Sequence, residues 1–523
     1  MIYLDYAATT PLAAEAWEAM QGWLGPDAPF ANPASSHLRG VAARDAVERA
    51  RGQVADTLGA QAEEIIWTSG ATEANNLALK GAAEFYASRG RHIVTSRIEH
   101  KSVLDTCRYL ETRGVSVTYL EPDDQGRIGV DQVAAALRED TVLVSLMWVN
   151  NELGTITDIP AIAELTRSRG VLLHCDAAQA VGKIAIDLSN VPVDLLSVAA
   201  HKAYGPQGVG ALYVRRRPRA RLAPQMHGGG HQQGMRSGTL PVHQLVATGA
   251  ALALSAQRLV EDQQQIAALR DRFEQTLHAI DGVVIHGAKA PRAANYCNFH
   301  VDGVDGEALK AALPSLCLSS GSACSSATAE PSYVLRGLGL SDAQAGASLR
   351  VSCGRQTTWA ELEQALAMLT QAISHLRAAA SGNLVGVGLA MAPSATDYSS
   401  PVLERFTQLR GFGRLAKVDQ CLRVQDRARS TWIELDVGVA AEGQGGLVKV
   451  RAVGCPTTLA VASLVTEILT GVAMDPSDGW DAARIQQVLE IPPQRLHCAL
   501  IGEDLLRAWR QAASVSSAEL TER

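Results

Sequence analysis

The 523-residue sequence predicts an α/β protein: a large domain on a mostly parallel sheet, a small α+β domain behind it, and a further α+β unit after a linker. Two observations predict this. As far as about residue 260, short apolar runs alternate with helical stretches, the signature of βαβ units whose strands are buried on both faces. The pattern is then broken by a charge-free stretch from Ala378 to Thr396, beyond which a new set of elements begins. Length agrees, since ~150 residues per domain divides this chain into three or four units.

In order along the chain, EEIIWTSG reads as a strand and a helix follows from Thr72. RHIVTS is the next strand, with a helix from Glu99, and VSVTYL, a helix near Asp131 and TVLVSLMWV continue the alternation. After a further helix come VLLHCDA, VDLLSVAA and VGALYVRR. These runs are aliphatic and β-branched, and too short for helices. The large domain therefore takes residues 15–260 or so. From about Asp262 an amphipathic helix leads into the small domain, which the N-terminal segment joins and which ends, within residues 1–377, on a helix from Trp359 to Leu376. Residues 378–397 are rich in Ala, Gly and Ser, with an Asn and a Pro. A membrane span needs ~20 strongly apolar residues, so this segment reads as a flexible linker. Residues 398–523 read as a helix (Pro401–Leu409), two strands (TWIELDVGV and GLVKVRAV), and three helices after Cys455, near Ala482 and after Pro493.

Composition narrows the function. Hydrophobic residues at 47% and charged residues at 19% describe a globular chain able to bury a core. A net charge of −7 leaves no electrostatic footprint for nucleic acid. Nine scattered cysteines do not make a disulfide framework, and the N-terminus lacks a basic segment followed by an apolar run. A reduced, cytoplasmic setting is expected, with thiols available for chemistry.

In parallel sheets, polar residues just past strand ends line the site. VLLHCDAAQ puts Asp176 and Gln179 there, and the next strand delivers His201 and Lys202. A lysine and a carboxylate from different strand ends suit pyridoxal 5′-phosphate: the lysine forms a Schiff base, and the carboxylate keeps the pyridine nitrogen protonated. SGATEANN sets Ser69, Gly70, Ala71 and Thr72 at a strand-to-helix turn, where free N–H groups and the helix dipole favour a phosphate. Taken singly, each has a plain reading: a solvated loop lysine, a helix-capping aspartate, a common turn. Their order and spacing together carry the inference. SSGSACSSATAEPSYVL places Cys324 among Ser, Gly and Ala, a run that packs poorly in a helix or strand and reads as a mobile loop carrying a nucleophilic thiol. Cys107, Cys175, Cys297, Cys317 and Cys353 fall in periodic apolar segments and read as core.

YLDYAATTP, TSGATEANN, EHKSVLDTCR, VNNELGT, CDAAQAVGK, AAHKAYGPQGVGALYVRR, HGGGHQQGMRSGTLP and SSGSACSSA resemble the cysteine desulfurases of the IscS/NifS type, from Met1 to about Leu376. The resemblance implies fold type I of the pyridoxal-phosphate-dependent transferases and a homodimer with sites at the subunit interface. It implies that L-cysteine becomes alanine, with the sulfur held as a persulfide on Cys324. By the same resemblance Lys202 carries the cofactor, Asp176 pairs with its pyridine nitrogen, Gln179 with its hydroxyl, and His100 stacks on the ring and moves protons. Ala71, Thr72 and His201 meet the phosphate, with Thr239 coming from the other subunit. Asn32, Asn151 and Arg350 hold the substrate, Asn151 also touching the cofactor and the arginine clamping a carboxylate. Ala199 departs from the family, which has a phosphate-binding serine there, at a cost of ~1 kcal/mol for one neutral hydrogen bond. The histidines at 227, 231 and 243 lie across a glycine-rich loop and are read as structural rather than metal-binding.

From about Tyr398 onward, YSSPVLERF, VGCPTTLAVASLVTEILTG and LEIPPQRLHCALIGEDLLRAW resemble the IscU/NifU scaffold on which iron–sulfur clusters are built. Cys455, His497 and Cys498 match ligand positions of that family, whereas Arg427 and Arg429 stand where a cysteine and an aspartate belong. Cys421, six residues earlier, would substitute only after rearrangement. An iron–sulfur cluster or zinc on this unit is therefore a candidate with an incomplete ligand set. The alternatives are a tethered sulfur acceptor and a docking or regulatory module that no longer builds clusters, with a selenocysteine lyase-like reaction as a third reading. A thiol at 324 argues against simple β-elimination, which needs none. The partners implied are L-cysteine, a second copy of the chain, and sulfur-acceptor or scaffold proteins.

Overall fold

The computed structural model describes residues 1–320, 331–383, 398–426, 430–438, 447–470 and 479–521. An N-terminal strand β1 (Ile2–Tyr3) is followed by α1 (Ala14–Gln21) and α2 (Leu38–Leu58), and the alternation then begins. It runs β2 (Ile65–Thr68), α3 (Ala71–Phe85), β3 (His92–Ser96), α4 (Lys101–Glu111), β4 (Ser116–Leu120), α5 (Val130–Ala136) and β5 (Thr141–Met147). After α6 (Ile159–Ser168) come β6 (Leu172–Asp176), β7 (Leu195–Ala199) and β8 (Gly210–Val214). The seven strands form one sheet in the order β2-β8-β7-β6-β5-β3-β4. It is parallel from β7 to β4, and β8 runs antiparallel to both its neighbours. Strands β5, β7 and β8 are buried along their whole length, as helices on both faces require.

Helices α7 (Val242–Gln257) and α8 (Leu259–His278) lead to the small domain. There β9 (Val283–His286) and β10 (Tyr296–Val301) precede α9 (Gly306–Ala311), β11 (Leu316–Cys317), α10 (Tyr333–Gly337), α11 (Asp342–Gly346) and β12 (Leu349–Ser352). The antiparallel sheet is ordered β12-β10-β9, and β1 pairs with β11, so the N-terminus is built into this domain. The closing helix α12 (Trp359–Ser381) runs five residues beyond the expected Leu376. Ala378, Ala379 and Ala380 are strong helix formers, and Gly382 ends the helix in the left-handed conformation at φ 80°.

The last unit holds α13 (Ser400–Gln408), β13 (Gln420–Asp426), β14 (Thr431–Gly438), β15 (Leu447–Val453), α14 (Pro456–Leu469), α15 (Ala482–Leu489) and α16 (Leu496–Thr521). Its sheet has three antiparallel strands where the sequence reading has two. The missed strand, β13, lies at the edge with its residues exposed or half-buried, so QCLRVQD shows no apolar run. Helix α14 is buried at every position. Its apolar side chains join those of α12 and the small domain in one continuous core. Polar contacts reinforce the junction: Tyr398 donates its hydroxyl to Glu307 at 2.9 Å, and Arg495 pairs with Glu307 at 2.7 Å while lying over the Tyr398 ring. Among the described residues no helix is long and apolar enough to cross a membrane.

Candidate active site

The candidate residues collect where strands of the large sheet end. Asp176 closes β6, and the chain leaves β7 directly into His201 and Lys202. The Lys202 ammonium donates to the Ala7 carbonyl at 2.9 Å, and Gln179 Nε2 donates to the same oxygen at 2.8 Å. Ala7 thus joins the two. Lys183 Nζ completes the row by donating to Gln179 Oε1 at 2.6 Å. Burial first, and then the neighbouring Lys202 ammonium, hold Lys183 well below the ordinary lysine range. A cleft lined by Tyr6, Thr10, Lys183, Lys202 and Tyr204 opens beside this row.

A second chain of contacts fixes the carboxylate. Asn75 Nδ2, from α3, donates to Asp176 Oδ2 at 2.8 Å and lies 2.8 Å from Ser102 Oγ. Ser102 Oγ is 2.8 Å from His100 Nδ1, and the Ser102 amide donates to that nitrogen, which makes His100 the N-cap of α4. Asp176 Oδ1 accepts from the Ala178 amide. Beneath lies Glu99, whose carboxyl burial pushes up to about 8, with Asp176 nearby adding to the rise.

The turn expected to hold phosphate lies where β2 passes into α3. Gly70 sits at φ 151°, and a Cβ there would meet nothing within 4 Å, so the turn opens onto free space in front of the helix N-terminus. Thr72 is exposed at that end and Ala71 half-buried. Arg236 grips Glu73 through two oxygens, at 2.8 and 3.2 Å, and Glu73 accepts from the Ser69 amide, tying the loop around residue 236 to the turn. His201 Nδ1 lies 3.1 Å from Thr9 Oγ1. Burial, then Lys202 and Lys183, push it down to about 4, so its ring is neutral.

Arg350, on β12, is buried. Its Nη1 donates to the Asn151 carbonyl at 2.7 Å and its Nη2 to Asp5 Oδ1 at 2.6 Å, leaving Nε buried without a partner. Asn151 Oδ1 is likewise buried and unpartnered. Asn32 is exposed and caps its own loop by accepting from the Ala34 amide, and Thr239 is exposed. Neither touches the other candidates among the described contacts. Cys324 lies outside the described residues. The sequence reading passes over Asp5, Ala7, Asn75, Ser102 and Lys183 as site-builders. All five stand inside segments it singles out, but only tertiary contacts reveal their work.

In the C-terminal unit Cys455 is the N-cap of α14 and Cys498 is the third residue of α16. Their Sγ atoms are 3.7 Å apart, and His497 Nε2 is 3.3 Å from Cys498 Sγ. A hydrogen bond from Cys498, which outweighs burial, lowers the Cys455 thiol, while the shared proton raises Cys498. Cys421 is not brought to this pair. It is the second residue of β13, opposite Asp436, so it lies at the far end of the sheet, roughly 15–20 Å along the strand direction. Its neighbour there is Arg451, at 3.9 Å. Arg427 and Arg429 lie outside the described residues. Among the described residues no group of three His, Cys, Asp or Glu stands in an arrangement able to hold a metal ion.

Known proteins are similar to this chain in sequence and in fold. Residues 2–365 match the family described as Aminotransferase class-V, and residues 397–513 match the family described as NifU-like N terminal domain. The chain is 54% identical over 377 residues to the cysteine desulfurase IscS of Stutzerimonas stutzeri, covering 72% of this chain and 93% of that one. Among solved structures, a NifS-like protein superposes with a TM-score of 0.67 at 32% identity, over 71% of this chain and 99% of its own. SspA, solved in complex with cysteine, superposes with a TM-score of 0.62 at 37% identity, over 68% of this chain and all of its own. The chain therefore belongs to the class-V aminotransferase family, within its IscS-like cysteine desulfurases, and continues into a NifU-like N-terminal domain.

Proposed function

We infer that this chain is a pyridoxal-phosphate-dependent cysteine desulfurase that converts L-cysteine to alanine and passes the sulfur to an acceptor for iron–sulfur cluster or other thio-cofactor synthesis. The carrying observation is the constellation of Lys202, Gln179 and Asp176, the first two tied to the Ala7 carbonyl and the third held by Asn75. The residues present fit the cofactor. An open glycine turn faces a helix N-terminus for the phosphate, a lysine and an oriented carboxylate stand at adjacent strand ends, and Asn151 Oδ1 is a buried acceptor without a donor. The chemistry that pyridoxal phosphate supplies there is an electron sink.

In this reading Lys202 attaches the cofactor, and Asp176, held by Asn75 and the Ala178 amide, keeps a proton on its ring nitrogen. Gln179 orients the ring hydroxyl, while Ala71, Thr72 and neutral His201 serve the phosphate. His100, fixed by Ser102, moves protons at the substrate carbon. Arg350 and Asn151 hold the substrate carboxylate, and Asn32 closes over it. The Cys324 thiolate takes the substrate sulfur as a persulfide, and alanine leaves. Thr239, exposed and touching none of the other candidates, is assigned to the site of a second copy in a homodimer. Phe30 and Leu38, 65% and 89% exposed, are apolar surface for such an interface.

The NifU-like unit is proposed as the sulfur acceptor. It is held against the small domain, and its buried thiols Cys455 and Cys498, which the sequence resemblance assigns to ligand positions, stand 3.7 Å apart. A cluster or zinc on Cys455, His497 and Cys498 would need a further ligand. The docked junction also favours a second reading, a regulatory module. The test is alanine release from L-cysteine, with persulfide mapping on the full chain. Cys324→Ser is expected to bind cofactor and release no alanine, and Lys202→Ala to lose the cofactor absorbance. Normal alanine release by Cys324→Ser would overturn the persulfide mechanism.

A further inference from the structure

Cys455 and Cys498 are both buried and come from remote parts of the chain, the β15–α14 turn and the start of α16. At 3.7 Å the two sulfurs are in van der Waals contact, with Thr458 Oγ1 3.6 Å from one and 3.5 Å from the other. A disulfide needs a sulfur separation of about 2.05 Å, so small rotations of two short side chains would close the bond. With its outer sulfur, about 2 Å from Sγ, turned away from Cys498, a persulfide on Cys455 would keep its inner sulfur facing that thiol. That alignment suits displacement at the inner sulfur better than storage of a persulfide.

We propose that Cys455 and Cys498 form a reducing dithiol that converts sulfane sulfur into free sulfide. This rests on the reading that the desulfurase part generates a persulfide. In the step, Cys498 sulfur bonds to the inner sulfur of the Cys455 persulfide, and the bond from that sulfur to the outer one breaks. The outer sulfur leaves with the bonding pair, taking its own proton and the Cys498 thiol proton as hydrogen sulfide. The two cysteines lose two electrons and become a disulfide; the sulfane sulfur gains two. No other oxidant enters, and an external thiol resets the pair. Sulfide, rather than a persulfide, is then what the C-terminal unit hands on.

The experiment uses the full-length holoenzyme, reduced and then freed of reductant, in two arms: one equivalent of L-cysteine, so that no excess thiol resets the pair, and one equivalent of glutathione persulfide without cysteine. Sulfide is measured together with alkylated peptide maps. The expected result in both arms is one sulfide per chain and a peptide linking Cys455 to Cys498. Cys498→Ser is expected to lose that burst and retain one added sulfur on Cys455. Persulfide on Cys455 of the unsubstituted chain, without the linked peptide, overturns the dithiol role and leaves the desulfurase reading standing. The linked peptide with glutathione persulfide but not with L-cysteine supports the dithiol and overturns internal delivery. No modification of either thiol in either arm overturns the proposal. The maps of the unsubstituted chain decide the matter even if Cys498→Ser folds poorly.

Discussion

Replacing Gly210 by alanine is expected to damage, from behind, the turn proposed to hold the phosphate. Gly210 opens β8, paired with Thr68 on one side and Ala199 on the other. A Cβ there would press on the Val198 carbonyl and lie 2.6 Å from Gly70 Cα, against an ordinary contact distance of 3.4 Å. Gly70 would have to retreat by about 0.8 Å, and both obstacles are backbone, which cannot rotate away. Overpacking of this kind costs roughly 1–3 kcal/mol, and two backbone obstacles place this case at the upper end. Gly70 precedes the helix end proposed to hold the phosphate, so the shift would also lengthen hydrogen bonds to a charged group. Losing one is worth about 1.5–3 kcal/mol, or roughly 10- to 150-fold in cofactor affinity. The assays are the urea midpoint and titration of the cofactor-free chain with pyridoxal phosphate. Gly52→Ala is the control: Gly52 lies in α2 with nothing within 4 Å of an added Cβ, so about 0.5–1 kcal/mol of stability should be gained. Wild-type stability and affinity in Gly210→Ala would refute the reasoning.

Arg350→Lys keeps the charge and loses the planar fork that meets both Asp5 and the Asn151 carbonyl. We expect kcat/KM for L-cysteine to fall roughly 10- to 150-fold, as one charged hydrogen bond would, and unchanged kinetics would remove Arg350 from substrate binding. Glu99 holds its proton up to about pH 8 when folded but only to about 4.5 when unfolded, so its contribution to stability is full below 4.5 and is lost as pH rises through 8. Glu99→Gln should erase that slope, worth on the order of a few kcal/mol, and urea midpoints for the two proteins that run parallel from pH 5 to 9 would contradict it. Arg495→Ala removes an ion pair whose Glu307 side is 42% exposed, together with a cation–π contact, for about 1 kcal/mol in all. Faster proteolysis between the small domain and the C-terminal unit is the readout, and an unchanged cleavage rate would show that the apolar junction alone holds them.

The sequence by itself determined the elements whose burial is written into their own residues. Strands β2, β3, β5, β7 and β8 are buried throughout because both faces are covered, and the turn at Ser69–Thr72 and the residues after β6 and β7 follow from where the apolar runs stop. Strand β13 left no such trace, since an edge strand with half its residues in solvent has no reason to be apolar. Only the tertiary structure decided which distant groups meet. The Ala7 carbonyl joins Lys202 to Gln179 across more than 170 residues of chain, and Asn75 links the phosphate turn to Asp176 and, through Ser102, to His100. The same holds for Cys421, which strand register sets opposite Asp436 and away from the other two thiols, and for Cys455 and Cys498, which packing of α14 against α16 brings into contact. Periodicity reports what a segment does to its own faces. Contacts between remote segments depend on register and packing, which no local pattern records.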